Sequence, residues 1–199
     1  MNTQSLYRWG GMVAILTAAF FVLGGVLAAV VSDGGLSTPV VPALYYFGTT
    51  AAVLAFLALY AAQCQQTGIL GLVGFLLATM GAVLYSGPQF ALVAGTSGAA
   101  GWHDVWGFGM GNILLVGPPA FFIGMSLIGA ATRRAAVLPR HAGLVLAVGA
   151  FVWLVAYFLS IVPGLLTVAS VLTGVGMAWM GWALWSGRSG TVTVQPQVV

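Results

Sequence analysis

Charge is what this chain has least of. Its 199 residues include two acidic side chains, Asp33 and Asp104, and five arginines, with no lysine and no glutamate. Soluble domains carry about 25% charged residues; at 4% this chain cannot clothe a water-facing surface of its size, so most of its surface must meet lipid or other protein. Five scattered arginines are also too few for the basic face that grips nucleic acid. The single cysteine, Cys64, excludes an internal disulfide, and in QCQQTG it reads as a free structural thiol in a short polar turn.

The long apolar runs contain no Asp, Glu, Lys, Arg or His. Proton relays, ion paths and charged-substrate sites need such groups inside the bilayer, so a pump, an ion-coupled transporter and a channel with a charged filter are excluded. Paired carboxylates, an HExxH sequence, a Cys/His cluster at metal spacing, a Ser-His-Asp set and a histidine pair for haem are likewise missing. The expectation is a protein that is not an enzyme and has no metal and no obligatory cofactor.

What is present is apolar: 61% of the residues are hydrophobic. A core about 30 Å thick takes about 20 residues of helix, and stretches of that length run over 9–31, 41–62, 68–87, 105–131, 142–161 and 164–185. These predict an all-α integral membrane bundle of six transmembrane helices in a single domain, 1–199, ending in a polar tail, 186–199. Arg8 followed by an apolar run resembles a secretory signal, but the run exceeds the usual 7–15 residue core and is taken as a retained span. Arginine accumulates in cytoplasmic loops. Arg8, Arg133, Arg134, Arg140 and Arg188 all fall on one side of a six-span chain and both aspartates on the other, which places both termini in the cytoplasm.

Trp and Tyr favour the headgroup level. Tyr7, Trp9, Trp179, Trp182 and Trp185 then mark the inner interface, and Tyr45, Tyr46, Tyr85, Trp102, Trp106 and Tyr157 the outer one. Small residues four apart, such as Gly10 with Ala14, Gly24 with Ala28, Gly25 with Ala29, Gly107 with Gly111 and Gly174 with Ala178, predict close helix packing within or between chains. The stretch SGPQFALVAGTSGAAG, 86–101, is expected to cap the outer surface.

Residues 101–119, GWHDVWGFGMGNILLVGPP, concentrate polar chemistry. Asp104 suits the N-cap of the fourth span. Asn112 needs a partner inside lipid, and Pro118 and Pro119 remove backbone donors and free the carbonyls near Leu114 and Leu115. A kinked helix with an interhelical hydrogen bond is the plain reading; a small-ligand site at Asn112, His103 and Trp106 is the sharper one, and its ligand class would be a quinone, lipid or pigment. Arg133, Arg134 and Arg140, with His141, are expected to meet lipid phosphate.

The turn Val137-Leu138-Pro139-Arg140-His141-Ala142-Gly143, followed at once by an apolar span, resembles an LPRxAG turn found in a diffuse group of small six-helix bacterial membrane proteins. That resemblance covers about a quarter of the chain and implies a bacterial inner-membrane location and no activity. Together these features suggest a non-catalytic accessory subunit of a larger membrane complex, with a respiratory or photosynthetic assembly as host. A carrier or receptor for a small apolar ligand is the alternative. A lipid-modifying enzyme using His103 and Asp104 comes third. Other membrane subunits and lipids are the expected partners, and nucleic acid is not.

Overall fold

The computed structural model describes residues 3–31, 39–95, 111–159 and 164–187, with side chains for 5–31, 39–94, 115–158 and 164–187. Every regular element among them is helical: α1 Thr3–Val30, α2 Val40–Gly95, α3 Gly111–Ala135, α4 Arg140–Leu159 and α5 Leu165–Trp185. All five are long and apolar enough to cross a membrane.

Six separate helices were expected, and the second and third expected spans form one element. At 1.5 Å per residue a straight helix of 56 residues would reach about 84 Å, far beyond a bilayer core. Its backbone leaves helical geometry at Gly68, where φ is 58° and ψ is −150°, a region essentially open only to glycine. There the chain reverses. The rings of Tyr60 and Phe75 stack with centroids 4.8 Å apart, and those of Tyr46 and Phe90 lie 5.7 Å apart; both pairs stand almost symmetrically about Gly68, so the arms 40–67 and 69–95 run antiparallel. The polar turn expected at QCQQTG is therefore helix up to its last residue: Thr67 Oγ1 donates to the Gln63 carbonyl at 3.0 Å, and Cys64 is exposed on that helix.

The stretch expected to cap the outer surface also proves helical as far as Gly95, with Pro88 and Gln89 buried; residues 96–101 lie outside the described residues. Composition misleads here because Pro88 and Gln89 sit on the inward face, while Ser86 satisfies its hydroxyl on its own helix, donating to the Val83 carbonyl at 2.8 Å.

Consecutive helices pack on one another and α5 returns to α1, closing a ring. The first arm of α2 lies against α1, where Gly10 meets Ala58, and the second against α3, where Gly81 meets Phe121 and Gly124 meets Ala78. The closing seam brings two glycine backbones together. A Cβ on Gly11 would stand 2.5 Å from the Gly181 carbonyl oxygen, and one on Gly181 would stand 2.7 Å from that of Gly11. Backbones in such contact gain dispersion energy, which holds helices together where lipid removes the hydrophobic drive. Gly10, Gly24, Gly25 and Gly174, whose partners the sequence left open, all face other helices of this chain. The start of α1 and the end of α5 consequently lie at the same end of the bundle.

Outward faces carry Leu, Val, Ile, Phe and Met, from Met12 and Leu16 on α1 to Val168 and Val175 on α5. Trp9, Trp179 and Trp182 are exposed. Tyr45 and Tyr85 are not: both are buried in the core, because each points along the bundle-facing side of its helix, and the helix of Tyr85 continues to Gly95.

Candidate functional site

His103 and Trp106 lie outside the described residues, as does Asp104. Asn112 stands in the first turn of α3, and its side chain is outside them too, so the expected ligand set is not brought together by the described structure. Helix α3 runs unbroken through Pro118 and Pro119. Its first half is clamped to the second arm of α2: Pro118 is buried, and a Cβ on Gly117 would lie 3.0 Å from Leu84 Cβ.

Just below the prolines, Phe121 and Phe122 are fully buried and start a closed circuit of rings. Phe122 stacks on Trp153 at 4.8 Å and 10°; Trp153 meets Tyr45 edge to face at 5.8 Å; Tyr45 meets Phe21 at 6.0 Å; Phe21 stacks on Phe121 at 6.0 Å; and Phe121 returns to Phe122 at 5.2 Å. Four helices thus contribute to one aromatic centre, with Phe56 and Tyr85 packed on Phe121 from the two arms of α2. Offset and edge-to-face ring pairs add about 0.5–1.5 kcal/mol each beyond their buried area in water-soluble proteins.

The fifth helix joins through a hydrogen bond. Tyr45 Oη and Ser170 Oγ are 3.3 Å apart and buried, and one turn earlier Thr167 Oγ1 donates to the Gly25 carbonyl at 3.0 Å. Tyr85 is hydrogen-bonded to the Gln89 side chain, and Ser126 Oγ donates to its own helix at Phe122 and, at 3.4 Å, to Ala147 across the α3–α4 seam. Trp153 Nε1 and the hydroxyls of Thr17, Thr79, Thr132 and Thr173 are buried without a hydrogen-bond partner. Chemically this interior offers neutral hydroxyls, amides and one indole. A serine hydroxyl becomes a nucleophile only with a base beside it, and the partner of Ser170 is a tyrosine. No group of three or more potential metal ligands occurs among the described residues.

The second polar locus lies at the other end of α3, where Arg133 and Arg134 occupy its last turn. Ala136 follows with φ of 56°, in the left-handed region that ends many helices. Leu138 then turns inward and is buried, and the Pro139 carbonyl accepts from the N–H groups of Ala142 at 3.0 Å and Gly143 at 3.3 Å, starting α4. Arg133, Arg134, Arg140 and His141 are all exposed. A Cβ on Gly143 would stand 2.6 Å from the Gly129 carbonyl oxygen and 3.1 Å from the Arg133 nitrogen, so the arginines of the two helices are held on one rigid turn.

Reading the sequence alone missed Tyr45, Trp153 and Ser170. One signal for them was available: Ser170, Thr173, Gly174 and Met177 recur at the spacing of one helix face, and in lipid the small and polar face is the inward one.

Comparison with protein-family models, with curated proteins and with solved structures finds no match to this chain.

Proposed function

We propose that the chain is a multi-pass protein of a bacterial inner membrane that crosses it six times, α2 crossing twice by way of Gly68, with both termini in the cytoplasm. Its proposed role is a non-catalytic accessory subunit of a larger, energy-converting membrane complex. One observation carries the second statement. Every Arg and His among the described residues stands exposed at a helix end, while the described interior is filled by aromatic rings and neutral polar groups, some bonded to one another or to backbone and others, such as Thr17 and Thr173, without a partner. Among the described residues nothing buried carries a charge with which to move protons or ions, and on this reading the chain's use lies in its shape and its apolar faces. The inner-membrane location rests on the LPRxAG resemblance and the distribution of arginine. An apolar-ligand site beside Pro118 is less well supported, because Gly117 and Pro118 are packed against the second arm of α2.

Isolation from the native membrane in mild detergent, followed by identification of whatever protein and lipid accompany the chain, tests this role. Co-purification with a defined set of membrane subunits is the expected result. Recovery as a lone monomer without partners overturns it.

A further inference from the structure

Four basic side chains, Arg133, Arg134, Arg140 and His141, stand on the turn between α3 and α4, and all four are exposed. The described residues contain no Asp or Glu, so among them the three guanidinium groups have no carboxylate side chain to meet. The turn is also fixed in place. Leu138 plugs the core beneath it, Pro139 sets the start of α4, and the Gly129–Gly143 contact keeps the two helices at backbone distance. Beside it, at the same end of the neighbouring α5, the Trp182 and Trp185 rings lie 4.9 Å apart with Trp182 half exposed, an aromatic pair of the kind that settles at headgroup level.

We infer that the α3–α4 turn is a binding site for the phosphate headgroup of an anionic phospholipid, held by Arg133, Arg134 and Arg140 with His141 beside them. Arginine presents a planar fork of donors that matches phosphate oxygens two at a time, and a fixed turn loses little side-chain and backbone freedom when the headgroup arrives. This inference rests on the membrane reading of the preceding subsection. The two fail differently: a chain that stays monodisperse in buffer without detergent contradicts the membrane reading before any lipid is added.

The test uses the full chain in a neutral detergent, titrated with phosphatidylglycerol, with phosphatidylcholine of the same acyl chains, or with inorganic phosphate. Retained lipid is counted by native mass spectrometry and thermal unfolding is followed in parallel. Phosphatidylglycerol is expected to bind and raise the unfolding temperature, and the other two probes are not. At about 1 kcal/mol per basic residue near an anionic surface, the combined substitution Arg133→Gln, Arg134→Gln and Arg140→Gln should weaken phosphatidylglycerol binding roughly 100-fold. Arg8→Gln, one charge at the same end but on α1, whose packing neighbours are α2 and α5, should leave it within about 2-fold. A native size-exclusion profile of the triple variant in detergent separates lost binding from lost fold; if the triple variant does not fold, the single Arg140→Gln, expected to lose about 5-fold, takes its place. Equal response to both lipids, an equal effect of free phosphate, unaltered binding in the substituted protein, or occupation of the turn by a co-purified acidic protein in place of lipid each overturns the inference.

Discussion

Tyr45 and Ser170, 125 positions apart in the chain, meet hydroxyl to hydroxyl at 3.3 Å in the buried interior. This contact ties α5 to α2 across α1 and anchors one corner of the aromatic circuit, since Tyr45 also packs on Phe21 and Trp153. Hydrogen bonds between membrane helices contribute about 0.6 kcal/mol on average and up to about 1.7.

Tyr45→Phe and Ser170→Ala should each therefore destabilise the bundle by about 1 kcal/mol, and the double variant should lose less than the sum of the two. Unfolding in mixed micelles with increasing denaturing detergent measures all three. Strict additivity would mean that the two hydroxyls do not interact.

The α1–α5 seam predicts a contrast between two glycines. Gly181→Val places methyl groups where the Gly11 carbonyl stands at 2.7 Å from a Cβ, and should cost more than about 2 kcal/mol or prevent folding. Gly87→Ala, where the added carbon meets nothing within 4 Å apart from its chain neighbours, opposes only the ring of Pro88 that follows it and should cost no more than about 1 kcal/mol. Thermal unfolding in detergent ranks them, and similar losses at both sites would contradict the packing described.

Two turns predict effects of opposite sign. Ala136 holds a left-handed φ of 56° that costs a residue with a Cβ about 1–2 kcal/mol, so Ala136→Gly should stabilise the protein by roughly 0.5–1 kcal/mol. Gly68, at φ 58° and ψ −150°, should not tolerate a side chain: Gly68→Ala is expected to lose about 1–3 kcal/mol. Differential scanning measurements on the two variants give the signs directly.

Cys64 is exposed, four residues before the reversal at Gly68, and is the only cysteine. In the proposed orientation a membrane-impermeant maleimide should label it in inverted inner-membrane vesicles and leave it unlabelled in intact spheroplasts. The opposite pattern would turn the protein over in the membrane.

Much of the helical plan was legible because apolar length and the few charges are signals of the chain alone. The breaks at Val31, Ala136 and Gly164 fall within a few residues of those expected. Two things were not legible. Gly68 carries its reversal in backbone angles, whereas polarity pointed to Cys64, Gln65 and Gln66, which remain helical. Tyr45 and Tyr85 looked like interface residues from their level in the membrane, and level says nothing about which way a helix face turns. The aromatic centre is likewise a property of the closed ring, since Phe21, Tyr45, the Phe121-Phe122 pair and Trp153 stand on four separate helices until these are assembled. For the candidate site, the arginine turn was visible as a charge cluster, and its rigidity only through the Gly129–Gly143 contact.

The closing seam also imposes an order in time. Gly11 is made 170 residues before its partner Gly181, an interval of roughly 10–30 s at 5–20 residues per second. Through that interval α1 has its α2 neighbour but its groove for α5 is open, so α1 is housed on both sides only once α5 has been made. A chain that stalls before α5 therefore leaves an open arc with a glycine-lined edge, the form in which a quality-control protease or an insertion chaperone would meet it.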